Sequence, residues 1–100
     1  MNMMVVAQRL QEGQDVTFRP RGHSMTGRVN DGDLVTVRPM TDKDILKKGM
    51  VVVAKVKGHV YLHLVKAVRK GSVQIGNNKG HINGWTSHDG VYGILVSNES

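Results

Sequence analysis

Two residues in this chain have the chemistry of a covalent hydrolase and stand on separate elements. Ser24 lies in Gly22-His23-Ser24-Met25, a glycine-flanked turn that opens after one β-patterned run. His63 lies in Val60-Tyr61-Leu62-His63-Leu64-Val65, a later run of the same kind. A serine hydroxyl becomes a useful nucleophile when a base takes its proton, and a neutral imidazole near pH 7 is such a base. Gly22 permits the backbone conformations that expose a turn serine. The amides of Ser24 and its neighbours Gly22 and Met25 are candidates to hold an oxyanion or substrate carbonyl. The competing readings are a turn serine bonded to its own backbone and a half-buried strand histidine.

The other candidates are weaker. His23 adjoins Ser24, and adjacent extended residues point to opposite faces. His59 falls in a turn, and His81 and His88 lie in a Gly/Asn-rich stretch. His81 and His88 with Asp89 lack the His-x-x-His or His-Glu-x-x-His spacing of a metal site, so neither metal nor cofactor is expected. Lys66, three positions beyond His63, projects to the opposite strand face in a regular strand. The stretch Gly76-Asn77-Asn78-Lys79-Gly80 lacks the Lys-Ser/Thr ending of a phosphate loop.

The elements that must position these residues are mostly strands. Residues 3–12 place Met4, Val5, Ala7 and Leu10 at helical spacing before Gly13, which predicts one short amphipathic helix. From Val16 the period becomes two. Strands are predicted over 16–19, 34–38, 50–56, 60–68, 72–75 and 91–96, with turns at Asp31-Gly32, Lys57-Gly58-His59 and Lys70-Gly71. Thr41 as N-cap, Asp42 and Asp44 early, Lys47 and Lys48 late, and Gly49 beyond predict a helical turn over 41–48. In 76–90 only Ile82 and Trp85 offer apolar anchors. The alternation places Val51, Val53, Leu62, Leu64, Ile94 and Val96 in the core. The expected fold is mainly β: six or seven short strands in a twisted sheet or partly open barrel, with an N-terminal helix.

The segment from Gly22 to Asp33 resembles the nucleophile box of the signal-peptidase/LexA superfamily of serine peptidases. That box reads Gly-x-Ser-Met-x-Pro, then Gly-Asp; here Asp33 follows Ser24 by nine residues and Gly27 replaces the proline. Bacterial signal peptidases and LexA-type autoproteases pair the serine with a lysine in the strand after a Val-rich hairpin. Archaeal and endoplasmic-reticulum signal peptidases use a histidine there, within His-Arg-Val. His63-Leu64-Val65 resembles the histidine branch, with Leu64 in place of arginine. That branch also carries a Gly-Asp-Asn-Asn-like box and a later aspartate that orient the histidine. Ile75-Gly76-Asn77-Asn78 resembles the box, with Asn77 where aspartate is common. The third role falls to Asn77, Asn83 or Asp89. The resemblance covers residues 22–96 and implies peptide-bond hydrolysis by Ser24 and His63, with the Ser24 amide in the oxyanion site.

The totals agree with a small domain of this kind. The chain has 100 residues and no cysteine, which fits one domain, with a peptidase-like core over 16–96, in a reducing cytoplasm. Aromatic residues are 4% against 39% hydrophobic, so the core must be aliphatic. No apolar run approaches the roughly 18 residues of a membrane span, and no signal-peptide pattern opens the chain. A free-standing core without anchor or DNA-binding domain suits a phage or mobile element. The formal charge is +6, with positives scattered along the chain. The alternative to a peptidase is therefore a non-catalytic relative that binds nucleic acid or an acidic protein through its basic surface. Oligomeric state is not legible.

Overall fold

The computed structural model describes all 100 residues. A helix, α1 (Met3–Gln11), precedes seven strands: β1 (Val16–Phe18), β2 (Leu34–Pro39), β3 (Val51–Val56), β4 (His59–Arg69), β5 (Ser72–Gly76), β6 (Ile82–Ser87) and β7 (Val91–Glu99). They form one antiparallel sheet in the order β1-β2-β7-β3-β4-β5-β6, unclosed, with β1 and β6 at its edges. This is the mainly β architecture expected. No helix is long and apolar enough to cross a membrane.

The strands are rich in valine because β-branched side chains pack well on a pleated surface. The central strands are covered on both faces. On one face Val35, Val37, Val51, Val53, Leu62 and Leu64 meet α1 and the serine loop through Val6, Leu10, Met25 and Val29. On the other, Val52, Ala54, Val65, Val73, Ile75 and Ile94 pack around Leu46. The helix starts at Asn2, whose Oδ1 accepts from the Val5 N–H at 3.0 Å. It buries Val6, Ala7 and Leu10, with Met3 packed against the same core, whereas Met4 is 58% exposed. The apolar stripe is thus 3, 6, 7, 10, not the predicted 4, 5, 7, 10: packing selected the spacing i, i+3, i+4, i+7.

Three further expectations fail for physical reasons. No helix forms over 41–48. The Asp44 carboxylate instead accepts from the Thr41 amide at 2.8 Å and pairs with Arg38 through two bonds of 2.9 and 2.7 Å, which holds the segment as a loop. Val96 is 52% exposed, although Val51, Val53, Leu62, Leu64 and Ile94 are buried. Thr36 pairs with Ser97 and Val37 with Leu95, so Val96 is the extra residue of a β-bulge and leaves the alternation. Finally, β6 is a full strand within 76–90, and its anchors Ile82 and Trp85 are 41% and 37% exposed. An edge strand with little burial has no apolar alternation to announce it.

Candidate active site

The loop between β1 and β2 presents Ser24 by tying itself down on both sides. Gly32 N–H donates to Pro20 O at 3.0 Å, and Arg19 Nη1 donates to Gly32 O at 2.8 Å, closing the loop at its base. Asp33, 7% exposed, accepts from the Asn30 amide at 2.9 Å. Asp33 therefore builds the loop. Gly22 has φ +103°, and its N–H donates to Asp31 Oδ1 at 2.7 Å. That bond removes the Gly22 amide from the set of oxyanion donors, although Gly22 lines the cleft beside Ser24. Met25 is 5% exposed and plugs the loop into the core. Within the protein, neither the Ser24 nor the Met25 N–H donates a hydrogen bond. Both remain available to a ligand.

His63 comes from the middle of β4, opposite Val52 of β3. Its Nε2 lies 3.3 Å from Ser24 Oγ, and its Nδ1 lies 2.7 Å from Asn83 Oδ1. An amide oxygen accepts, so Nδ1 carries the proton and Nε2 is left with a lone pair facing the serine hydroxyl. The Tyr61 ring stacks on the imidazole with centroids 4.9 Å apart and planes 15° apart. His63 is 8% exposed. Burial pushes its pKa below the ordinary histidine value; the Asn83 bond opposes this, and the charge of His81 adds to it.

The sequence-level candidates for the third residue separate here. Asn77 does not bond His63: its Oδ1 accepts from the Lys79 and His81 amides at 2.8 and 2.9 Å, and so holds the β5–β6 turn. Asp89 sits in a short 3-10 helix, His88–Gly90, and lines another cleft with His88 and Tyr92. The partner is Asn83, and the reason lies in strand register. Ile75 pairs with Gly84 and Gly76 with Ile82, so Asn83 is the unpaired residue of a bulge, and its side chain is re-aimed at His63. Lys66 is also a bulge residue, between Val65 opposite Ile75 and Ala67 opposite Gln74, and its Nζ donates to Asn77 O at 3.1 Å. His23 is exposed; its carbonyl accepts from Thr26 Oγ1 at 2.8 Å. Sequence reasoning missed Asn78, whose amide N–H donates to Ser24 O at 2.9 Å and whose Nδ2 donates to Thr26 O at 2.8 Å.

Ser24 and His63 open into a cleft of about 610 Å³ between β1 with its following loop, the N-terminal residues and the start of β4. Phe18, Met25, Val29 and Leu62 make its wall apolar, and Arg19 and Arg21 stand among the lining residues. A cleft of this size falls in the range of ligand-binding pockets.

Comparison with curated proteins finds no significant match. A family model, Peptidase S24-like, matches residues 2–82, a range that contains both Ser24 and His63 and stops one residue before Asn83. A match over that much of the chain shows that the protein belongs to the Peptidase S24-like family.

Proposed function

We propose that the protein is a serine endopeptidase in which Ser24 is the nucleophile, His63 the general base and acid, and Asn83 the residue that orients His63. The observation that carries this reading is the chain of contacts Ser24 Oγ to His63 Nε2 at 3.3 Å and His63 Nδ1 to Asn83 Oδ1 at 2.7 Å. The first distance is slightly long for a bond, as catalytic contacts are before substrate tightens them.

The chemistry balances with these groups. Ser24 Oγ attacks the scissile carbonyl carbon while His63 Nε2 takes the hydroxyl proton. The negative oxygen of the tetrahedral intermediate accepts from the free amides at Ser24 and Met25. The C–N bond then breaks, and His63 gives its proton to the leaving amine. Water, deprotonated by the same nitrogen, attacks the acyl-serine ester; the acyl C–Oγ bond breaks, His63 returns the proton to Ser24 Oγ, and the acid is released. Asn83 fixes the imidazole tautomer but supplies no charge to the imidazolium, which predicts slow turnover.

An extended polypeptide suits the cleft because two unpaired backbone edges line it. β1 pairs only with β2, and residues 60–63 of β4 pair only with β3, since β5 begins its pairing at Leu64. A substrate strand can add its own N–H and C=O groups to such edges.

The test is labelling of the purified protein by a fluorophosphonate across pH 5 to 9, with mapping of the adduct. Labelling at Ser24 that disappears in His63→Ala is the expected result. An unlabelled protein, with salt-sensitive binding to nucleic acid or to an acidic protein instead, would replace the peptidase with a binding module.

A further inference from the structure

We infer that Asn78 is a positioning residue that presets the oxyanion site by locking the peptide plane after Ser24; this rests on the reading of Ser24 as nucleophile. A trans peptide unit is planar, with its C=O and the following N–H pointing in opposite directions. Fixing a carbonyl therefore fixes the amide behind it. The Ser24 carbonyl accepts from the Asn78 backbone N–H at 2.9 Å, which turns the Met25 N–H away from the β5–β6 turn; a substitution at 78 keeps this bond's donor and removes the side-chain bond to Thr26 O that holds the two segments together. The preceding plane is fixed in the same manner: the His23 carbonyl accepts from Thr26 N at 3.3 Å and Thr26 Oγ1 at 2.8 Å, which sets the Ser24 N–H. Neither of these two N–H groups has an acceptor in the protein.

The Asn78 side chain makes the lock a clamp. Its Nδ2 donates to Thr26 O at 2.8 Å, so one residue grips the loop on both sides of Met25. Gly27 makes room for it. With φ +96°, Gly27 occupies a region closed to proline and strained for any other side chain, and a Cβ there would stand 3.2 Å from Asn78 Nδ2. The departure from proline at position 27 and the second asparagine of Asn77-Asn78 thus belong to one contact. The turn is itself braced by Asn77 Oδ1 and by the Lys66 bond to Asn77 O. The same hairpin carries Asn83, so it sets the position of the nucleophile at one end and of the base at the other.

The test compares wild type with Asn78→Ala, Asn78→Asp and Gly27→Ala. Two measurements are made: the rate of fluorophosphonate labelling at Ser24, whose adduct places an oxygen in the oxyanion site, and NMR of the backbone over residues 23–27 together with the His63 titration. We expect labelling to slow about ten- to a hundredfold in all three, the amides of Ser24 and Met25 to lose order, and the His63 titration to stay unchanged in the two variants that add no charge, Asn78→Ala and Gly27→Ala. Asn78→Gln, which keeps the donor, should recover part of the rate. Wild-type labelling rates in Asn78→Ala and Asn78→Asp would overturn the inference, as would a His63 titration that moves in Asn78→Ala, which marks general loosening. An unlabelled wild-type protein would overturn the peptidase reading and the catalytic half of this inference. In that case unchanged amide order in Asn78→Ala would overturn the clamp as well.

Discussion

Asn83 reaches His63 from a residue that the neighbouring strand leaves unpaired: the bulge opposite Ile75 and Gly76 brings its Oδ1 to 2.7 Å from His63 Nδ1. An asparagine there can choose the tautomer but cannot balance the charge that His63 would acquire on taking the serine proton in the proposed mechanism. Asn83→Asp adds that charge at nearly the same position. The expected outcome is a His63 pKa raised by about one unit or more, with acylation at least about tenfold faster. Asn83→Leu should slow acylation without unfolding the protein. NMR titration of His63 with labelling rates checks both, and an unmoved His63 titration in Asn83→Asp would remove Asn83 from the mechanism.

The pH dependence follows from burial of the same ring. In the proposed mechanism His63 acts as base only when neutral, so activity should fall as pH drops through its pKa. Burial depresses that pKa below the ordinary value, so the acid limb should lie below about 6.5 and the rate should be level by neutral pH. Stability carries the same sign. The unfolded chain binds the His63 proton more readily than the folded one, so folding loses stability as pH falls from the unfolded value toward the folded one. His63→Gln should flatten that part of the stability curve. An acid limb centred above 7, or one that survives in His63→Gln, would contradict this assignment.

The legible parts of the sequence were those where one periodicity ran undisturbed. The alternation through β3 and the first half of β4 located both the core and His63, because Val51, Val53, Leu62 and Leu64 stay in register with no bulge between them. The turn at Gly22 and Ser24 was legible because glycine and a loop-anchoring Asp33 leave marks at fixed spacing. Bulges leave none. One extra residue in β7 displaced Val96 from the core and another in β6 aimed Asn83 at the histidine, and neither event changes composition or local pattern. Asn77 stands in the box that carries the resemblance, yet its carboxamide serves the turn, and its neighbour Asn78 holds the serine loop. Charge patterning over 41–48 satisfied every local rule for a helical turn. It lost to Arg38, a residue outside the window, which engages Asp44.

The Val96 bulge makes a stability comparison possible between two valines that the sequence treats alike. Val53 is 0% exposed in the central strand β3 and packs in the cluster that contains Leu62 and Leu64. Val53→Ala should cost about 2–3 kcal/mol, from lost burial and the cavity left behind. Val96→Ala should change stability by less than about 0.5 kcal/mol. Urea unfolding of the two variants measures the difference. Equal losses would mean that Val96 is buried in solution, either by a shifted register of β7 or by a second copy of the chain.

If His63 is the base proposed above, His63→Lys is an informative exchange, because a lysine can replace an imidazole in that role only as the neutral amine. The ordinary lysine pKa is about 10.4. The site that depresses the histidine is 8% exposed and apolar on the Tyr61 side, and desolvation depresses a lysine as well. His63→Lys should therefore keep a slower acylation, with an acid limb moved upward by roughly two units or more relative to wild type. Asn83 loses its partner in that variant, since the amine has no second ring nitrogen to present to Oδ1. The effect of Asn83→Leu on rate should accordingly be large beside His63 and small beside Lys. A double-mutant cycle on labelling rates across pH 6 to 10 reads that coupling. If His63→Lys is as inert as His63→Ala at every pH, the position accepts an imidazole alone. If Asn83→Leu costs the same in both backgrounds, Asn83 acts on the fold of the β5–β6 hairpin and not through the ring.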